Sequence, residues 1–164
     1  SGARLRAALL VTRATPLRGS GDVAGGSAPG QVRVVADHLN VSGGSLFPAP
    51  GMVSAGWDAT LTERLGSLRG VSGSSVVALV PGPLRPSPAE SRALVSLGAD
   101  AAVTDSVAEA MVLASRGVAV SALTYLDAPA AGGNLGRAQL SLRQASGVTL
   151  AAVEEILRSL RAGS

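Results

Sequence analysis

The second half of the chain alternates between predicted strands and predicted helices, and this alternation constrains the fold more than any other feature. Strands are predicted at Ser75–Val80, Asp100–Thr104 and Val118–Leu126, and each is followed along the chain by a helix. Helices that alternate with strands in this way usually connect parallel strands by right-handed crossovers. The sequence therefore predicts an α/β fold with a central, mostly parallel or mixed sheet flanked by helices.

Capping residues predict where these helices begin. Asp58 is a suitable N-cap for a helix over Ala59–Leu68, and Ser87 to Glu90 form a capping box with proline at the first helical position. Ser106 with Glu109 is a second capping box. A Gly/Ala-rich loop is predicted from Asp127 to Gly147. Thr149 then caps the last helix, whose predicted apolar face contains Val153, Ile156, Leu157 and Leu160.

The first half of the chain is less regular. Short strands are predicted at Arg6–Thr12 and Gln31–Asp37. Two long irregular stretches, Arg13–Gly30 and Val41–Gly56, are rich in Gly, Pro and Ser. No composition shift marks a boundary, so residues 1–164 are expected to form a single domain.

Composition excludes several classes of function. The three aromatic residues, Phe47, Trp57 and Tyr125, are too few for a platform on which bases stack. The absence of cysteine removes thiol catalysis and thiolate metal sites, and a single histidine leaves no histidine-based metal cluster. The net charge of +3 comes from scattered arginines, which does not favour nucleic-acid binding. No apolar run reaches the roughly 18 residues that span a bilayer, so no membrane partner and a cytoplasmic location are expected.

Two carboxylates are the best-placed candidates for chemistry. Asp105 and Asp127 each follow a predicted strand, where ligands of open α/β sheets collect, although either could instead cap a turn or helix. Glu90 and Glu109 are expected to serve their capping boxes. His38 beside Asp37 could form an acid–base pair, but neighbouring strand residues point to opposite faces, which favours a structural histidine.

A glycine-rich segment, Gly19–Gly26, could cradle a phosphate with its backbone amides. A dinucleotide fingerprint must follow a strand directly and open a helix, and Ser27-Ala28-Pro29-Gly30 follows instead. A loop without a phosphate is therefore the favoured interpretation.

Ser75–Glu109 resembles the core signature of the trimeric purine nucleoside phosphorylase family: a strand, Pro-Gly-Pro, an aromatic-Glu-Thr-Pro-Ala-Glu motif, a helix and Leu-Gly-Ala-Asp. Asp37–Gly43 is similar to the family's Asp-His-Ile-Asn-Leu-Thr-Gly, and Ser54–Asp58 to its Met-Ser-Asp-Ala-Tyr-Asp segment. The matches run from Val11 to about Leu160. The resemblance implies a nucleoside phosphorylase-like fold, a homotrimer, and phosphorolysis of purine nucleosides. The family's N-terminal third, with its Gly-rich phosphate loop, has no counterpart in these residues.

The resemblance also implies that the purine-binding positions are replaced. The family's purine-binding Glu falls on Pro86 and the aromatic residue before it on Arg85. The family's Asn, which stabilises charge developing on the base, falls on Ala128, or on Asp127 if the register slips by one. Of the Asn-Ala-Ala-Gly turn only Ala14, a backbone contact in the family, is retained.

The phosphate site is replaced as well, since the family's phosphate-binding Ser falls on Asp105 and the Met before it on Thr104. A carboxylate there repels phosphate, so no cofactor is expected and the co-substrate phosphate is not expected to bind. Three hypotheses follow. The chain is a non-catalytic structural or regulatory protein that retains a purine-like ligand or an oligomer surface. It is an active enzyme in which Asp105 or Asp127 activates water for hydrolysis. Or it assembles with an intact phosphorylase paralogue as a hetero-oligomer.

Overall fold

A computed structural model describes residues 5–17, 28–43, 56–82, 85–127 and 135–162, with the side chains of 135–141 left out. These residues form five strands and four helices. The strands are β1 (Ala7–Pro16), β2 (Val32–Asn40), β3 (Val71–Leu79), β4 (Ala101–Val103) and β5 (Ala119–Leu126). The helices are α1 (Ala59–Gly66), α2 (Pro88–Ser96), α3 (Val107–Ser115) and α4 (Leu135–Ala162). The predicted α/β class with a mixed sheet and flanking helices is confirmed.

The sheet closes into a barrel in the order β1-β4-β3-β2-β5, which the sequence did not predict. Three pairs, β1 with β5, β2 with β3 and β3 with β4, are parallel, and the other two pairs are antiparallel. Closure depends on β1, which continues to Pro16 where a loop was predicted after Thr12. Its last residues pair with β4, with Thr15 opposite Ala102. Because β1 and β4 belong to distant parts of the chain, no local sequence pattern indicates this pairing.

Strand β5 is buried on both faces, as expected for a strand of a largely parallel sheet that helices cover. In β5, Ala122 and Leu126 belong to a core cluster that includes Val77 of β3 and Val103 of β4. Leu123 and Tyr125 instead face a second cluster formed with α1 and α4. Because successive side chains of a strand point to opposite faces, alternate residues of each strand point into the barrel.

The helix starts confirm two predicted caps and correct a third. Asp58 accepts a hydrogen bond from the backbone N–H of Leu61 at 2.8 Å. The capping box of α2 is complete, with Ser87 N–H donating to Glu90 at 2.7 Å, and this hydrogen bond lowers the pKa of the Glu90 carboxyl. At α3 the predicted box is wrong. Ser106 has φ of 68° rather than the extended backbone of an N-cap, and its side chain makes no cap. Its hydroxyl instead donates to Asp105 at 3.1 Å.

The last helix is longer than predicted. It begins at Leu135, inside the stretch predicted as loop, and Thr149 lies in its interior, where its hydroxyl donates to the Ala145 carbonyl at 2.9 Å. The buried face is formed by Val148, Ala152 and Ile156. Val153 and Leu157 are 42% and 50% exposed, so the predicted apolar face is only partly correct. Within the described residues, no helix is both long and apolar enough to cross a membrane.

Candidate functional site

Strand β1 positions the candidate site because it lies between β4 and β5 in the barrel. Thr12 is 4% exposed and faces inward, whereas the side chain of the next residue, Arg13, is 75% exposed. Successive strand residues point to opposite faces, so these two side chains contact different parts of the protein. Each contacts one of the two predicted carboxylates.

Asp105 is held by two hydroxyl groups. It follows β4 by two residues and precedes α3, as predicted. One carboxylate oxygen accepts hydrogen bonds from the Thr12 hydroxyl and, at 3.1 Å, from the Ser106 hydroxyl. Continuing the antiparallel register of β1 and β4 places Thr12 opposite Asp105, which explains the contact. The left-handed backbone of Ser106 brings the second hydroxyl back onto the same carboxylate.

Asp127 is held by two arginines. Its carboxylate accepts hydrogen bonds from Arg13 at 2.5 Å and from Arg85 at 3.4 Å, and the Asp127 side chain is 23% exposed. The Asp127 backbone N–H donates to the Ala14 carbonyl at 2.8 Å, which continues the β1–β5 ladder. The charge-assisted pair with Arg13 is the shorter of the two and is therefore the stronger contact.

These contacts separate the two carboxylates chemically. Asp105 is bound through the inward face of β1 and Asp127 through its outward face. In the part of the chain that the structure describes, no hydrogen bond joins them and no group of three or more acidic or histidine side chains could hold a metal ion. Asp105 and Asp127 are therefore two carboxylates with separate hydrogen-bond donors, and they do not form an acid–base pair.

Two further positions singled out by the family resemblance, Ala14 and Thr104, lie near the same barrel end. Ala14 is buried, and its carbonyl accepts the hydrogen bond from Asp127. Thr104 packs against the backbone of Gly82, since a Cβ built on that glycine would lie 3.3 Å from the Thr104 Cβ. Ala128 lies outside the described residues, as does the glycine-rich segment Gly19–Gly26.

Arg85 and Pro86 line a cavity of about 440 Å³ between the ends of β2 and β3 and helix α2. Its wall is largely apolar, and its charged members are Arg85 and Glu90. The lining residues are Val41, Val80, Pro81, Arg85, Pro86, Ser87, Glu90, Ala93 and Leu94.

His38 has a structural environment, in agreement with the favoured interpretation. Its Nδ1 accepts a hydrogen bond from the indole N–H of Trp57 at 3.3 Å and lies 4.0 Å from the Asp37 carboxylate. Asp37 instead accepts the backbone N–H of His38 at 2.8 Å. Burial lowers the pKa of the His38 imidazole, and the negative charge of Asp37 offsets part of that effect.

Sequence reasoning missed Thr12 and Arg13, the residues that bind the two candidate carboxylates. Both fall where β1 was predicted to end. An extended strand through Pro16 would have placed them beside β4 and β5, but proline and alanine after Arg13 give only a weak strand signal.

Comparison with known proteins shows similarity at the level of the fold. No family model and no curated protein matches the sequence. Among solved structures, a Schistosoma purine nucleoside phosphorylase with hypoxanthine matches with a TM-score of 0.68 and 18% identity, covering 93% of this chain and 61% of that one. The Schistosoma mansoni enzyme with inosine matches with a TM-score of 0.66 and 18% identity, covering 91% and 59%.

The chain thus spans about three fifths of the length of the solved structures it matches. At 18% identity the match is one of backbone architecture, and it does not extend to the reaction. Together with the mixed sheet and flanking helices, it shows that the described residues adopt the fold of purine nucleoside phosphorylases.

Proposed function

We propose that the chain is a non-catalytic purine nucleoside phosphorylase-like protein that acts as a structural or regulatory subunit or as a binding module. The observation that carries this proposal is the carboxylate of Asp105, held in place by Thr12 and Ser106. By the family resemblance, Asp105 stands where a serine would donate a hydrogen bond to phosphate. A fixed anion at that position opposes binding of the co-substrate.

The size of this repulsion follows from Coulomb's law. Two unit charges of the same sign 4 Å apart repel by about 1 kcal/mol in water and about 4 kcal/mol at the effective dielectric constant found near protein surfaces. Asp105 is exposed, so the repulsion falls within that range. The lost serine hydrogen bond adds to it. Even the lower value reduces phosphate affinity several-fold, and the upper value reduces it by about three orders of magnitude.

The purine positions support the same proposal. Pro86 has no side-chain acceptor for a purine N–H. Asp127, the other acid considered for catalysis, already accepts hydrogen bonds from Arg13 and Arg85. Both arginines contact the same carboxylate oxygen, and their positive charges oppose transfer of a proton from water to Asp127.

In this role we expect the chain to form a homo-oligomer, most simply a trimer, or a hetero-oligomer with a phosphorylase paralogue. We expect it to act in the cytoplasm and to bind no phosphate. The similar solved structures hold hypoxanthine and inosine, which makes a purine-like ligand a reasonable first probe. Size-exclusion chromatography with light scattering over a hundredfold range of concentration tests the homo-oligomer. Co-purification from the native host tests the paralogue.

Incubation with inosine or guanosine, each with and without phosphate, tests the absence of catalysis. We expect no free base in any arm, with a purine nucleoside phosphorylase as the positive control. Phosphate-dependent release that disappears in Asp105→Asn but persists in Glu154→Gln, a control at an exposed carboxylate of α4, would overturn the proposal. Phosphate-independent release with the same response to the two variants would instead establish the hydrolytic alternative.

A further inference from the structure

The cavity beside α2 combines an apolar wall with one guanidinium group. Its volume of about 440 Å³ lies in the range of small-molecule sites, about 300 to 1,000 Å³. Val41, Val80, Pro81 and Leu94 supply apolar surface, and Arg85 supplies hydrogen-bond donors. A site with this composition binds a compact apolar group and orients it through a few polar contacts.

Arg85 has donors available for a ligand. Among the described residues its guanidinium makes one hydrogen bond, the 3.4 Å contact with Asp127, out of five N–H donors. Asp127 keeps its shorter 2.5 Å contact with Arg13 when Arg85 turns away. The exchange of Asp127 for a ligand anion therefore leaves no carboxylate without a partner, which keeps its cost small.

The other polar groups of the cavity restrict the ligand's charge. In the capping box of α2, the Ser87 N–H donates to the Glu90 carboxylate and the Glu90 N–H donates to the Ser87 hydroxyl oxygen. The Ser87 O–H remains an uncharged donor, while the negative charge of Glu90 opposes a second negative charge nearby. A planar carboxylate matches the fork of the guanidinium and brings a single charge, unlike a phosphate dianion.

We propose that this cavity binds a compact apolar monocarboxylate, with Arg85 pairing with its carboxylate and its apolar body lying between α2 and the residues that follow β2 and β3. The inference rests on the binding-module part of the proposed function and is independent of whether phosphorolysis occurs. Arg85 and Pro86 are the positions that the family resemblance assigns to the purine base. The chemistry of the cavity therefore selects an acid where a neutral base would otherwise be held.

Isothermal titration calorimetry with benzoate tests the proposal, with benzamide, hypoxanthine and inorganic phosphate as comparison probes. We expect benzoate to bind at least about tenfold more tightly than any of the three, because only benzoate combines an apolar ring with one negative charge. The proposal is overturned if benzamide or hypoxanthine binds as tightly as benzoate, or if phosphate binds more tightly. It is also overturned if benzoate shows no binding up to 20 mM, roughly the weakest affinity expected of such a site.

Variants locate the site. Arg85→Gln should weaken benzoate binding by about tenfold or more, whereas Arg116→Gln, at the exposed end of α3, should leave it unchanged. Ala93→Leu should also weaken it, because the added carbons fill the cavity while Arg85 remains. Circular dichroism confirms that each variant is folded. Unchanged affinity in both Arg85→Gln and Ala93→Leu would show that benzoate binds elsewhere. Because the readout is direct binding, failure here leaves the phosphorolysis test unaffected.

Discussion

The hydrogen bond between Thr12 and Asp105 provides a quantitative test of the site. Thr12→Val keeps the shape of the side chain and removes the hydroxyl that donates to Asp105. A hydrogen bond to a charged group contributes about 1.5 to 3 kcal/mol, and Thr12 is almost fully buried. Asp105 keeps its Ser106 contact and is exposed to water, which compensates part of the loss. We therefore expect Thr12→Val to lower the unfolding free energy by about 1.5 kcal/mol, the lower end of that range.

A double-mutant cycle isolates this contact from other effects. Asp105→Asn removes the charge, and we expect Thr12→Val in that background to cost about 1 kcal/mol less than in the parent protein. Urea denaturation followed by Trp57 fluorescence supplies all four free energies. Thr104→Val, an exposed neighbour on the same segment, should change the unfolding free energy by less than about 0.5 kcal/mol. If the two substitutions add to within about 0.3 to 0.5 kcal/mol, Thr12 does not hold Asp105 and the account of the site is wrong.

Two further predictions concern stability. Burial keeps His38 neutral in the folded protein below its ordinary pKa of 6.5, so the unfolded state binds more protons there, and unfolding free energy should fall as pH drops from 7.5 to 5.5. Because His38 is the only histidine, His38→Gln should remove that part of the pH dependence, and an unchanged slope would contradict the assignment. Gly70→Ala should cost about 1 to 3 kcal/mol more than Gly98→Ala, since both glycines have positive φ but a Cβ at Gly70 lies 2.7 Å from Val148. Equal thermal denaturation midpoints for the two variants would refute this.

Features set by nearby residues were predictable from the sequence. The caps at Asp58 and Ser87 depend on side chains that reach backbone groups three residues away, so the pattern contains all the partners. Ser106 matches the same pattern but makes no cap, because its backbone is left-handed rather than extended and its hydroxyl lies against the adjacent Asp105. The local rule holds only where no competing partner lies beside the cap.

Features set by distant pairing were not predictable. Barrel closure depends on Thr15 lying opposite Ala102, a pairing across more than eighty residues that no local periodicity reports. The contact between Thr12 and Asp105 follows from that register and was missed with it. In α4, Val148, Ala152 and Ile156 are buried because β1, β5 and α1 lie on that side. The helical spacing of apolar residues predicts that a helix has an apolar face, but it does not predict against which side of the helix the neighbouring elements pack.

The charged residues at the barrel end form pairs of contacting side chains, which would make the proposed loss of phosphorolysis difficult to reverse in one step. By the resemblance, Arg85 and Asp105 stand where the family has an aromatic residue and a serine, and each now has a partner, Asp127 and Thr12 respectively. Asp105→Ser removes the repulsion of phosphate, but it also removes the charged acceptor of the Thr12 hydroxyl, which keeps only the Arg13 carbonyl at 3.3 Å. It supplies no acceptor for a purine at Pro86. Arg85→Phe removes one of the two arginines that bind Asp127, and it leaves Pro86 unchanged. Because each substitution repairs one contact and breaks another, we expect neither to restore turnover alone, and the paired contacts explain how the fold accommodates the replaced residues.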